Sequence, residues 1–134
     1  MNFITWIKGV CAAICGLFSY VYGGLDVLLT ALLICIVIDY ITGILAAIYQ
    51  GKLNSTTGFR GIIKKEVILL VVAVAYTIGH AVGADSIRDL VIGFYIANEG
   101  ISILENAGRM NVPVCKQLSK ILEQLKDEMD HKDE

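Results

Sequence analysis

Proline and charge are what this sequence has least of. A single Pro in 134 residues does not support the turns of a loop-rich domain, and only 18% of the residues are charged. The net charge is −2, and no basic, aromatic-studded run offers a grip on nucleic acid. Motifs of catalysis are missing as well. There is no HExxH for a metalloprotease, no GxGD around an Asp in an apolar segment, and no serine in a GxSxG elbow. The glycine-rich GFRGIIKK at 58–65 lacks the GK[ST] ending of a phosphate-binding loop. The cysteines form no zinc or disulfide pattern: Cys11 and Cys15 share a helical face, while Cys35 and Cys115 stand alone. They read as small apolar side chains. Neither an enzyme nor a metal or cofactor is expected. A cleaved leader is not expected either, because the first basic residue, Lys8, comes after Phe3, Ile4, Trp6 and Ile7, and no clear A-x-A site follows.

Apolar side chains fill the space instead: 56% of the residues, for a mean hydropathy of +0.68. That exceeds the ~45–50% of soluble domains and places the chain in a membrane. Four apolar segments can be drawn, at about 3–22, 27–49, 67–84 and 90–107. The first two are near the ~20 residues needed to cross a ~30 Å hydrocarbon layer. Gly23-Gly24-Leu25-Asp26 turns the chain between them, and Trp6, Tyr20 and Tyr22 suit the two interfaces. Residues 50–66, QGKLNSTTGFRGIIKKE, break the pattern with Lys52, Arg60, Lys64 and Lys65. Gly79 and Gly83 in the third segment have the spacing that permits close helix approach.

Charge placement orients the segments. With four spans, the N-terminus, the 50–66 loop and the tail share one side, and that side holds Lys8, the four loop cations and the tail lysines. The two opposite turns hold only Arg88 as a basic residue. Cations stay on the cytoplasmic side, so both termini are predicted to be cytoplasmic. Lys52, Arg60, Lys64 and Lys65 read as a topology signal and an anionic-lipid contact. After Pro113, the residues Leu118, Ile121, Leu122, Leu125 and Met129 make an apolar helical stripe. That stripe suits docking on the membrane surface, contact under the bundle, or pairing with another tail. The final DEMDHKDE reads as a frayed, solvated end. The predicted fold is an all-α polytopic membrane protein: a transmembrane helical domain over 1–108, with three to four spans, and a cytoplasmic amphipathic tail over 109–134.

Polar residues inside the apolar segments are the candidate site. In YIANEGISILEN at 95–106, Asn98, Glu99, Ser102, Glu105 and Asn106 share one helical face, which Arg109 continues. An ionised Glu facing lipid costs about 2.5 kcal/mol or more. The stripe should therefore turn inward, lie at the cytoplasmic interface, or belong to a segment lying flat on the membrane. Asp39 sits near the middle of the second segment, with Thr42, Gly43, Ala46 and Ala47 as small helical neighbours. It is expected to be protonated, paired or in contact with a wet interior, and His80 is a candidate partner. Asp39, Thr42, Gly43, Asn98, Glu99, Ser102, Glu105 and Asn106 are the residues for a pore or an oligomer contact.

In this order the elements resemble the toxin-secretion/phage-lysis holins, small membrane proteins of phages and prophages of Gram-positive bacteria. The resemblance rests on Asp39-Tyr40-Ile41-Thr42-Gly43, the Ser55-to-Lys65 loop with Gly58, Gly61, Lys64 and Lys65, Asn98-Glu99-Gly100, Glu105-Asn106, and the Pro113 start of the tail. It covers most of residues 25–126. The chain departs from the family at the tail junction, where Asn111 and Cys115 replace a glycine and a proline. The resemblance implies a non-enzymatic protein with three or four spans. Such a protein forms homo-oligomers among membrane lipids of the bacterial cytoplasmic membrane. It then opens lesions that release an endolysin or a toxin, without needing to bind it. Two other readings fit the residues: a small ion channel or transporter with Asp39, Glu99 and His80 as relay groups, and a membrane scaffold that recruits a partner.

Overall fold

Helix limits follow the local chemistry. The computed structural model describes residues 2–131. Among these residues it forms five α-helices and no strand: α1 (Phe3–Tyr22), α2 (Val27–Tyr49), α3 (Ser55–Val82), α4 (Ser86–Arg109) and α5 (Lys116–Asp130). Asp26 caps α2, its carboxylate accepting from the Leu29 N–H at 2.9 Å, and Asn54 caps α3 through the Thr57 N–H at 2.7 Å. Gly23 and Gly83 end α1 and α3 in the left-handed conformation, with φ of 76° and 74°. Asn111 at the tail junction also has a positive φ, 59°. Asn enters that region more readily than most side chains.

Three expectations are corrected. The 50–66 stretch is not a loop throughout, because α3 begins at Ser55 and runs unbroken into the apolar segment. Phe59, Ile62 and Ile63 form a short exposed apolar stripe on it, while Gly58, Gly61 and Lys65 turn inward. Gly79 and Gly83 do not act as one contact face: Gly83 is the cap, with open space around it, while Gly79 is buried where a Cβ would meet the Ala84 carbonyl at 2.7 Å and the Ile87 Cβ of α4 at 3.4 Å. The tail helix also extends through Asp130, into the stretch expected to fray, whose last three residues lie outside those described.

α4 is the central helix, with α2 and α3 on one side and α5 on the other. A dry layer of Leu29, Leu32 and Ile36 from α2, Val72 from α3 and Ile92 from α4 fills the bundle near the α1–α2 turn. α1 has no buried residue and touches the bundle at α3. Phe18 and Tyr22 reach the dry layer, and Tyr76 of α3 lies against Gly23 so closely that a Cβ there would be 2.5 Å from the ring. By length and composition, α1 and α2 are apolar enough to cross a membrane. The uncharged part of α3, Val67–Val82, measures only ~24 Å at 1.5 Å per residue, and α4 carries Arg88, Asp89, Glu99, Glu105 and Arg109.

Arg88 locks the two turns together. Its guanidinium donates to the main-chain oxygens of Tyr22 (2.7 Å) and Gly24 (3.1 Å), to both oxygens of Asp26 (2.8 and 3.1 Å) and to Asp89 (2.9 Å). The residue is 6% exposed, so these five bonds replace its water. The hydrogen bond from Arg88, helped by the Leu29 N–H, holds the Asp26 carboxyl below its ordinary value. Asp26 therefore favours the folded state above pH ~3.9, and that contribution fades as pH falls through the lower folded value. Arg88→Met strands two carbonyls and a carboxylate, and should cost about 2–3 kcal/mol in detergent-solubilised protein. Thermal unfolding should show that loss together with a weaker response to acid below pH ~3.9, and Arg88→Lys should restore little, lacking the planar fork.

Candidate functional site: a charged cluster between three helices

Three helices each bring one ionisable group to the same level. Asp39 stands ten positions before the end of α2 at Tyr49, Lys65 ten after the start of α3 at Ser55, and Glu99 ten before the end of α4 at Arg109. All three are thus ~15 Å from the loop end of the bundle. The Lys65 ammonium donates to the carboxylates of both Asp39 and Glu99. The side chains of Glu99, Asp39 and Lys65 are 2%, 12% and 17% exposed, so each has exchanged most of its hydration for its partners.

Asn106 ties the cluster to the backbone. Its amide donates to the Asp39 carboxylate (3.0 Å), the Asp39 main-chain oxygen (3.3 Å) and the Thr42 hydroxyl (3.0 Å). The Thr42 hydroxyl lies 2.9 Å from the Ile38 carbonyl, one turn back, to which it donates. Towards the loop end, Arg109 donates to the Asn106 side-chain oxygen (3.2 Å) and to Gln50 (3.1 and 3.3 Å). Among the described residues, no buried side-chain nitrogen or oxygen lacks a partner.

A cleft of about 430 Å³ runs from the loop end to this cluster. Tyr40, Gly43 and Ala47 of α2 form one wall, Thr57, Gly58, Gly61 and Lys64 of α3 a second, and Asn98, Ser102 and Glu105 of α4 a third. Small residues line the space, with the Tyr40 side chain lying beside Gly58 and Gly61. The cleft is polar and large enough for water. Beyond the cluster, the dry layer around Ile92 closes the bundle. The site is thus a one-sided polar recess ending on buried charge.

The structure sorts the sequence candidates. Asp39, Thr42, Glu99 and Asn106 meet directly, and Gly43 lies next to the Asn106 amide. Asn98, Ser102 and Glu105 line the cleft without joining the cluster. Lys52 and Arg60 are exposed, and Lys64 borders the recess. Lys65 is corrected: read as a topology cation, it is the centre of the cluster. A signal for this exists, because Gly58, Gly61, Lys65, Ile68 and Val72 fall on one helical face that ends in the core. His80 is corrected too. It lies at the opposite end, exposed, 3.3 Å from Asp85 and remote from Asp39. Arg88 escaped notice as a structural residue, although it precedes core Ile92 by one helical turn.

Two long apolar helices, in an all-helical bundle that keeps a polar recess inside, point to a membrane protein. Residues 16–127 match the bacteriophage holin family, and the chain belongs to it. It is 32% identical over 123 residues to the probable holin of Bacillus phage phi105, covering 87% of this chain and 86% of that protein. An uncharacterised protein of Listeria monocytogenes is 47% identical over 107 residues, 79% of this chain and 76% of its own. One from Clostridium perfringens, a 14.9 kDa protein in the nagH 3′ region, is 40% identical over 126 residues, 92% and 96% of the two chains. No solved structure gives a significant match. The family comprises non-enzymatic, membrane-permeabilising proteins.

Removing one partner of a buried charge pair is far more costly than neutralising all of them. Lys65→Met leaves two buried carboxylates facing each other and should destabilise the protein by about 3–5 kcal/mol. Adding Asp39→Asn and Glu99→Gln should recover most of that loss. Unfolding of the two variants in detergent micelles measures the difference.

Proposed function

We propose that this chain is a phage holin that gathers into homo-oligomers in the bacterial cytoplasmic membrane and opens lesions there. Through them an endolysin reaches the cell wall, or a toxin leaves the cell, with no need for direct binding. All four helices α1 to α4 cross the bilayer in this reading, with the N-terminus, the α2–α3 loop and the start of the tail in the cytoplasm, where Lys52 and Arg60 meet anionic headgroups. The observation that carries the proposal is the recess ending on Lys65, Asp39 and Glu99: water already has a path from one face to about half the depth of the bundle. Membership of the holin family gives that path its purpose.

The cluster acts as a latch in this scheme. While Lys65 holds Asp39 and Glu99, the polar face of α4 is satisfied within one chain and the membrane stays sealed. Rearrangement within an assembly gives Asn98, Glu99, Ser102, Glu105 and Asn106 to water instead of to α2 and α3. Inducible expression with and without a co-expressed endolysin tests the function: abrupt lysis should require the pair. Purified protein in liposomes should release a large dextran, whereas passage of small ions alone would favour a selective channel. Asn98→Ala with Glu99→Ala should shift the time of lysis or abolish it at equal expression, and unchanged timing would remove the stripe from the scheme.

A further inference from the structure

The tail helix occupies an unexpected place. α4 runs parallel to α2 along its whole length: Ile92 packs in the layer with Leu32, Glu99 shares Lys65 with Asp39, and Arg109 reaches Gln50. α5 then folds back along the opposite face of α4. Leu122 lies over Gly100 and Met129 over Gly93, so closely that a Cβ at these glycines would meet them at 3.0 and 2.6 Å. Pairing of 100 with 122 and of 93 with 129 makes the two helices antiparallel, so Met129 lies beside the turn of α4 that carries Ile92. α5 is therefore beside the bundle, at the depth of α2, and not beneath it.

At that depth its outer face is charged. Lys120, Glu123, Asp127, Glu128 and Asp130 are all exposed. Ionised side chains are strongly disfavoured against acyl chains and need water or partners. In the closed chain Glu99 and Asn106 of the α4 stripe make no such demand, because they are bonded to α2 and α3, and Asn98, Ser102 and Glu105 open onto the recess. Leu118, Ile121 and Leu125, at the side of α5, remain 45%, 53% and 40% exposed even with the helix docked. Beyond Lys8 near its start, the surface of α1 is largely apolar up to Tyr20 and suits lipid.

We propose that α5 is the lumen wall of the assembled lesion, with its charged face on water and its Leu118–Ile121–Leu125 edge on a neighbouring copy of this chain. A single chain surrounded by lipid leaves the α5 charges unsolvated, whereas a ring with α1 outside and α5 inside satisfies both surfaces. The proposal rests on the holin reading and names the surface that lines the hole.

A lock between α5 and α4 tests it. In a background of C11A, C15A, C35A and C115A, the pair Gly93→Cys and Met129→Cys should form a disulfide in membranes, and the oxidised protein should still lyse cells with an endolysin. Ile121→Cys alone should give cross-linked dimers. Failure of the 93–129 disulfide in membrane-inserted protein, or loss of lysis on locking, would show that α5 leaves α4 and would overturn the proposal while leaving the holin reading intact. A parent that never lyses with an endolysin, in native or cysteine-free form, removes both. With the native cysteines kept, Glu123→Leu, Asp127→Leu and Glu128→Leu together should abolish lysis at equal membrane level; unchanged lysis would again overturn the lumen assignment.

Discussion

One amine between two largely buried carboxylates, at the inner end of a polar recess, is the constraint on which this fold turns. Within a bilayer, apolar burial gives little net drive for helix association, because acyl chains are as apolar as Leu or Ile. The dry layer around Ile92 adds close contact but little choice between one packing and another. Charges do choose. Asp39, Lys65 and Glu99 must find each other or water, and their equal distance from the loop end allows a single register among α2, α3 and α4. Asn106 then fixes the rotation of α4 by bonding to Thr42 and Asp39, about two and three turns deeper into α2 than its Gln50 end.

A second polar lock sits at the opposite end and has a different task. Arg88 joins the end of α1, the cap of α2 and the start of α4, so it governs the turns and leaves the helix faces alone. Together the locks divide the molecule. α2 and α4 are tied at mid-height and at the turn end and α3 at mid-height, whereas α1 is tied only near Tyr22 and is free along the rest of its length. A helix held at one end by polar bonds, with apolar residues on every side, can change its neighbours without breaking the cluster.

Much of this was legible in the residues, and what was not has physical causes. The limits of α1 and α2 coincide with the first two apolar segments because Gly23, Asp26 and the glycine-rich stretch after Tyr49 leave few other places to stop. Asp39, Glu99 and Asn106 stood out because carboxylates and amides are costly in lipid wherever they lie. Lys65 did not, since a cation at the edge of an apolar run looks like a cytoplasmic anchor; only its face, shared with Gly61 and Val72, marks it as internal. The start of α3 was missed for the same reason. A three-residue stripe of Phe59, Ile62 and Ile63 cannot span a membrane, yet it suffices to extend a helix that already has an Asn54 cap. Contact between α5 and α4 depends on Gly93 and Gly100, whose meaning appears only once a partner helix is laid across them.

Apolarity in this chain follows exposure to lipid more than depth. α1 has its surface bare and carries one charge, Lys8; α4 has neighbours on both sides and carries five charged residues. A helix shielded from acyl chains has no need of an apolar coat, so a test of composition finds α1 and α2 and passes over the helix at the centre. That accounts for the mixture in YIANEGISILEN. Its amides and carboxylates serve the α2–α3 face, its Gly100 serves α5, and little of it is left over for lipid. The same logic makes the closed bundle sensitive to its surroundings: whatever draws α2 or α3 away from α4 uncovers groups that only water or another polar helix can accept, and the membrane around them must then admit one or the other.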